Sequence, residues 1–399
     1  MVLRYEEVGQ LSNGHDRGIT KLAFSPSGSY ISTAGLDGKT CVWDVDSTQL
    51  LYSFDGQSPV LSLLWVPPNE DTLVCGFLNG NIAVLQITAA SLRVKECWAH
   101  AFPVECLAIR PIDNQLASGA HRELFIWLWN ESAGRFQMSR DISGASKKAH
   151  DDSNDVLITS VHWTESPQHA NLLLVTYMHH GLVLLDAETW SRIRTIPLHG
   201  QIADASLSDD GQRLAISNVL RGFDIYSMQS GAPLCAIEHD NRGAYPIPVL
   251  FIHGGLALFG GSTTGELMIW DVIDTESGNV VLNTPEKDDH QPRLLHVLPV
   301  PQQAKALAIS AFYNEQFDEF FIAAGMMNEF SESTAILWKA AEHGGTRTGA
   351  TALGGDMVGL LPALSRSKWM LAAMFVIFCA VGLPQICAVF DVVEVASTM

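Results

Sequence analysis

The residues best suited to chemistry are few and scattered along 399 residues. His179 and His180 stand side by side in "YMHHGLV", and adjacent imidazoles hold a metal when a cysteine or a carboxylate cluster lies near. No such cluster flanks this pair, which falls between two apolar runs, so a solvent-exposed turn without metal is the expectation. Asp209 and Asp210 offer two carboxylates in "SDDG", but the tetrad has the composition of a turn, and turn chemistry explains it. The seven cysteines (Cys41, Cys75, Cys97, Cys106, Cys235, Cys379 and Cys387) are odd in number and contain no CxxC pair. That spacing argues against a disulfide framework or zinc knuckle and suits a reducing compartment. There is no Walker loop, no GxGxxG after a strand, no GxSxG elbow and no HExxH, so neither an enzyme nor a cofactor is expected.

Composition narrows the partners. Hydrophobic residues make up 47% of the chain and charged residues 17%, the balance of a folded protein. The 43 Asp and Glu against 24 Lys and Arg give a formal charge of −19. A field of that sign repels phosphate backbones, which disfavours nucleic acid as the main ligand. The opening "MVLRYEEVGQLSNG" is charged and lacks an apolar run, so no secretory signal peptide is expected.

The elements that must position any site come from a repeat. In "HDRGITKLAFSPSGSYISTAGLDGKTCVWDV", three short apolar or β-branched runs are separated by the turn signals "SPSG" and "LDG". This is the pattern of an antiparallel meander. It returns, with decay, six more times. Anchoring each third strand at its aromatic or leucine position gives Trp43, Leu85, Trp127, Leu185, Tyr226, Trp270 and Trp338, with steps of 42, 42, 58, 41, 44 and 68 residues. A step of about 40 to 45 residues is the period of a four-stranded propeller blade. The two long steps mark insertions. Trp65 and Trp163 occupy the strand position of Phe24 and are expected in the core. Trp98 and Trp190 fall near outer strands or their turns and are open as partner anchors.

On the "SPSG" turn, the "LDG" turn and the strand ends "VWDV" and "IWDV", the chain resembles the WD40 repeat family over roughly residues 1 to 340. The resemblance implies an all-β fold, a seven-bladed propeller. In that family a His, a Ser or Thr, an Asp and a Trp lock each blade by hydrogen bonds, and His15, Thr33, Asp37 and Trp43 match the pattern. At the Asp position, six residues before the anchor, later units have Asn79, His121 and Thr264. Most locks are therefore expected to be missing, leaving apolar packing to hold those blades. The alternating, extended "LRYEEVGQL" is expected to supply the outer strand of the last blade, so that Leu3 to Val8 close the ring and remove an open sheet edge.

Two polar insertions, "NESAGRFQMSRDISGASKKAHDDSND" and "DTESGNVVLNTPEKDDHQPR", read as loops. Residues 341–367 have the Gly, Ala, Ser and Thr content of a linker. Residues 368–393 follow as a candidate transmembrane helix, and 394–399 as a short tail. From Trp369 to Phe390, through Phe375, Phe378, Gly382, Pro384 and Gln385, no side chain is charged. Twenty-two residues of helix span roughly 33 Å, enough for a hydrocarbon core of about 30 Å. Gly382 and Pro384 predict a kink. Arg347, Arg366 and Lys368 precede the segment, while Asp391 and Glu394 follow it. That asymmetry predicts a single-pass anchor, inserted after synthesis, with the propeller and N-terminus in the cytosol. An extension foreign to the fold is the competing reading, and it would leave the ring cytosolic or nuclear.

The function expected is a non-catalytic scaffold that binds other proteins, tethered to a membrane, with no small-molecule substrate. Two alternatives belong to other classes. One secretory-pathway exchange factor for a small GTPase combines a WD40-like propeller with a late membrane segment, although its Gly-rich, Asn-containing potassium loop has no counterpart here. Substrate receptors of ubiquitin ligases often carry Arg two residues after "WD", whereas this chain reads "WDVD" and "WDVI".

Overall fold

A computed structural model describes residues 3–88, 91–145, 156–164, 171–238, 247–262, 265–272, 292–301, 304–327 and 333–342. The first two linker positions, 341 and 342, end a strand; residues 343–367 and the membrane segment, Trp369, Phe375, Phe378, Gly382, Pro384 and Phe390 included, lie outside the described residues, as do Thr264 and most of the second insertion. No helix among the described residues is long and apolar enough to cross a membrane.

The described residues form seven four-stranded antiparallel sheets. Blade 1 runs Ile19–Phe24, Tyr30–Gly35, Lys39–Asp44 and Leu50–Asp55, and blades 2 to 6 repeat this order from the inner to the outer strand. All seven anchor residues sit on third strands, and every one of them is buried. The closing strand is longer than the alternation alone suggested. Leu3–His15 pairs with Ser333–Glu342 as the outer strand of blade 7, with bulges after Glu7 and Leu11.

Core residues group into clusters that lie between neighbouring blades, because a sheet with two covered faces must bury both. At the closing seam, Leu11, Ala335 and Leu337 of blade 7 pack with Ile19, Ile31 and Trp43 of blade 1. Small residues set the spacing where blades crowd. A Cβ on Gly260 would stand 2.5 Å from the Phe223 ring of blade 5.

One expectation is corrected. Within the first insertion, Arg135–Asp141 is not loop but the outer strand of blade 3, paired with Glu123–Asn130. An outer strand faces solvent, so only Phe136 of its seven residues is buried. Its apolar residues, Phe136 and Met138, make an alternation too short to mark a strand in a polar stretch.

Candidate interaction site: the channel mouth and the locks that hold it

The turn that follows each second strand begins with Leu36 in blade 1, Leu78 in blade 2, Met178 in blade 4 and Val219 in blade 5. Each donates its backbone N–H to the residue just before or at the start of its own inner strand. The acceptors are the carbonyls of Gly18 (2.9 Å), Pro59 (2.8 Å), Leu157 (2.9 Å) and Gln201 (2.9 Å). One backbone contact repeated in four blades thus places four apolar side chains at the same station of one rim. Leu36, Met178 and Val219 line the mouth of a central cavity of about 530 Å³, to which all seven blades contribute. Leu78 and Leu220 stand on the same rim, 46% and 69% exposed.

Inside the mouth, blades 1, 3 and 5 contribute Lys21, Glu105 and Asp204. Burial pushes the Glu105 carboxyl up to about 7, against the opposing pull of the His121 backbone N–H. Burial also raises Asp204, although Lys21 and the backbone N–H groups of Val249 and Ala205 favour its charged form. His162, which lines a second cavity of about 530 Å³ on the side of the first-to-second-strand turns, is pushed down to about 4 by burial and by Lys21. Its Nε2 lies 3.0 Å from Ser160 Oγ.

Two hydrogen-bonded locks stiffen the ring beneath this face. In blade 1, His15 Nε2 lies 2.8 Å from Thr33 Oγ1, Trp43 Nε1 donates to the same oxygen at 2.9 Å, and His15 Nδ1 lies 3.1 Å from Asp37 Oδ1. Burial opposes the imidazolium, but hydrogen bonds and charge from Asp37 and Cys41 outweigh it, raising His15 to about 9. Blade 3 carries a lock that counting missed. His100 Nε2 lies 2.7 Å from Ser118 Oγ, Trp127 Nε1 donates to that oxygen at 2.7 Å, and His100 Nδ1 lies 3.0 Å from Glu123 Oε2. This lock's acid stands four residues before the anchor rather than six, and it is glutamate, so inspection of position 121 could not find it. The usable signal was "AH" before an inner strand, with Ser118 in "LASGA".

Other blades fill the same space differently. In blade 7, Ala324 opposes Ile336, the register place of Thr33 opposite Cys41, and the buried Trp338 Nε1 has no acceptor among the described residues. In blade 6 Gly260 takes that place, and Phe223 packs edge-on against Trp270 at 5.5 Å. Blades 2 and 4 put Cys75 and Val175 there.

The remaining residues singled out in the sequence fall as follows. His179 and His180 occupy the turn after Tyr177, with His179 exposed, and among the described residues no three His, Cys, Asp or Glu could share a metal. "SDDG" superposes in its bonding on "SPSG". Gly211 N donates to Ser208 O at 2.8 Å, as Gly28 N does to Ser25 O at 2.9 Å. Trp65 Nε1 donates to Ala23 O at 3.1 Å and Trp163 Nε1 to Ala108 O at 3.2 Å, each tying its inner strand to that of the preceding blade. Trp190 packs edge-on against Trp163, whereas Trp98 is 70% exposed.

A closed ring of seven blades around a collared channel defines the protein as a β-propeller, a rigid frame that displays turns and loops. The "WD domain, G-beta repeat" family matches residues 6–44, and the unit it matches recurs around the ring. The chain is a seven-bladed WD40-repeat protein, and WD40 propellers are general protein-interaction scaffolds. It is similar to the guanine nucleotide-binding protein subunit beta of Oryza sativa subsp. japonica, with 22% identity over 296 residues, which cover 70% of this chain and 75% of the rice protein. The periodic tryptophan protein 2 homolog of Dictyostelium discoideum is 26% identical over 236 residues, 57% of this chain and 24% of the relative. The target of rapamycin complex subunit wat1 of Schizosaccharomyces pombe is 24% identical over 115 residues, 29% and 36% of the two chains.

Proposed function

We propose that the protein is a non-catalytic interaction platform whose partners dock on the face where the central channel opens. The observation that carries this reading is the apolar station repeated at Leu36, Leu78, Met178 and Val219. A mouth built from aliphatic side chains on backbone-pinned turns loses little conformational entropy on docking. The ring supplies pre-organisation, and partner identity is set by the side chains at the rim. Partners cross-linked to the wild-type chain should be lost from the double variant Leu36→Asp/Met178→Asp. They should be kept by Ile112→Asp, a control in the first-to-second-strand turn of blade 3 at the opposite end. Equal retention by both variants removes the docking face from this account.

The platform is tethered to a membrane by residues 368–393, a proposal supported by the uncharged run from Trp369 to Phe390 and by the basic residues before it. Tethering raises the local concentration of partners on the same surface. The propeller is thereby placed in the cytosol. Full-length chain should fractionate with membranes, and a version ending at Glu342 should not; equal solubility of the two overturns the anchor.

A second reading is favoured by the names of the rice relatives, which are subunits of guanine nucleotide-binding proteins. The docked partner is then a guanine-nucleotide-binding protein, and the platform acts as its regulator. Nucleotide release from small GTPases in the presence of the purified chain tests this, and an unchanged release rate across the panel sinks it.

A further inference from the structure

We infer that the channel mouth receives the cationic side chain of a lysine or arginine, presented by an extended partner segment with aliphatic neighbours. This rests on the platform reading and names the chemistry of what docks there.

The first support is shape. The cavity of about 530 Å³ falls in the range of roughly 300 to 1,000 Å³ typical of ligand pockets. Four stations of its rim are apolar, with Gln201 beside them, and its charges lie behind the rim. A lysine or arginine has the same order of parts, with an apolar stem that packs along a hydrophobic wall and a charged head beyond it.

The second support is charge. Behind the collar, one ammonium, Lys21, and two carboxylates, Glu105 and Asp204, line the same cavity, brought from three different blades. Lys21 acts on Asp204 and on the neighbouring Cys106 and His162, which places it among these groups. Yet Asp204 stays raised with Lys21 beside it, and Glu105 stays near 7. The protein's own cation therefore does not offset the burial of both acids. An incoming guanidinium or ammonium supplies the missing positive charge where water is scarce and the interaction is least screened.

The third support is the long-range field. A net charge of −19 draws basic segments to the surface and slows acidic ones. A glutamate in the mouth would instead bring a third carboxylate beside Glu105 and Asp204. A wholly aliphatic segment would satisfy the collar and leave the charges unanswered.

The test uses the full chain and four acetylated, amidated heptapeptides, identical except for Arg, Lys, norleucine or Glu at the centre, with leucines on either side. Affinity is read by fluorescence anisotropy at pH 8, above the Glu105 midpoint of about 7. The Arg and Lys peptides should bind at least about tenfold tighter than norleucine, and the Glu peptide weakest of all. The double variant Glu105→Gln/Asp204→Asn should erase the preference while keeping norleucine affinity. Lys21→Met, which removes the competing ammonium, should tighten the Arg peptide by about tenfold. Circular dichroism melts show whether each variant keeps the fold. Equal affinity for norleucine and Arg, or an Arg affinity that Lys21→Met lowers, overturns the inference. If norleucine binds as well as Arg and binding is lost in Leu36→Asp/Met178→Asp, the docking face stands and only its charge selectivity falls. If no peptide binds, the inference falls, and the platform is judged by the partner cross-linking alone.

Discussion

Glu123 Oε2 lies 3.0 Å from Nδ1 of His100 and accepts the backbone N–H of Ala101 at 3.1 Å. Asp37 stands in the same relation to His15 and to the N–H of Asp16, which it accepts at 2.9 Å. The two acids reach one target from different stations. Asp37 sits in the turn between the second and third strands, whereas Glu123 is the first residue of the third strand. One further methylene lets the later position span the gap. His15 ends the outer strand of blade 7 and His100 follows that of blade 2, while the partners of each belong to the next blade, so each lock also fastens a seam.

From that geometry, Glu123→Ala should destabilise the protein by about 1 to 3 kcal/mol, because it strands the His100 Nδ1–H and the Ala101 N–H together. Glu123→Asp should fail to rescue, since its carboxylate stops one methylene short. Thermal melts at neutral pH decide the matter. A Glu123→Asp variant as stable as wild type would falsify the reach argument.

The two locks should respond to pH in opposite senses. His15 is raised from 6.5 to about 9, so the folded state holds its proton more tightly than the unfolded chain does. Its contribution is complete below pH 6.5 and is lost as pH climbs through about 9. Burial lowers His100 from 6.5 despite Glu123. That lock is complete above pH 6.5 and weakens as acid protonates the unfolded chain preferentially. Asp37, held below 3.8 mainly by His15 against the opposing effect of burial, adds stability that fades only as pH falls through its folded value. Melting temperature plotted against pH should therefore lose its alkaline slope in His15→Ala and part of its acid slope in His100→Ala. Identical changes in both variants would contradict this assignment.

Blade 7 offers a gain rather than a loss. Trp338 is fully buried, and its indole N–H has no acceptor among the described residues. Ala324 occupies the station that supplies the hydroxyl in blades 1 and 3. Ala324→Ser should add the missing acceptor and raise stability by about 1 kcal/mol, whereas Ala324→Val brings bulk without a partner and should lower it. Urea unfolding midpoints separate the two, and a destabilised serine variant would show that the register analogy does not carry the hydroxyl to the indole.

Blade count, the seven anchors and ring closure were legible in the sequence, because a period of about 42 residues survives when individual motifs decay. Trp43 to Trp338 could be placed without knowing what surrounds them. The blade 3 outer strand was not legible, since Arg135–Asp141 buries Phe136 alone and pairs through backbone groups that any polar residue supplies. The second lock escaped for a different reason. Hydrogen-bond reach is a distance in space, and four residues with a longer side chain can equal six with a shorter one. The channel charges were invisible as a set, because Lys21, Glu105 and Asp204 are far apart in sequence and meet only when seven inner strands converge.

The two inter-blade tryptophans supply a last test of what holds the ring. Trp65, buried, and Trp163, half-buried, stand at the end of an inner strand and donate Nε1–H to a carbonyl of the preceding blade, Ala23 O and Ala108 O. Replacing either by Phe keeps most of the apolar area but removes that donor, although Ala23 O still accepts from Ser32 Oγ at 3.1 Å. Each substitution should cost about 1 to 2 kcal/mol. The two pairs lie in separate seams, so the double variant should lose the sum to within about 0.5 kcal/mol. Trp98→Ala, at a side chain 70% exposed, should change stability by no more than about 0.5 kcal/mol. Denaturant unfolding of the four variants reads all of this at once. If Trp98→Ala costs as much as Trp65→Phe, burial and the hydrogen bond to the neighbouring blade are not what the tryptophans contribute.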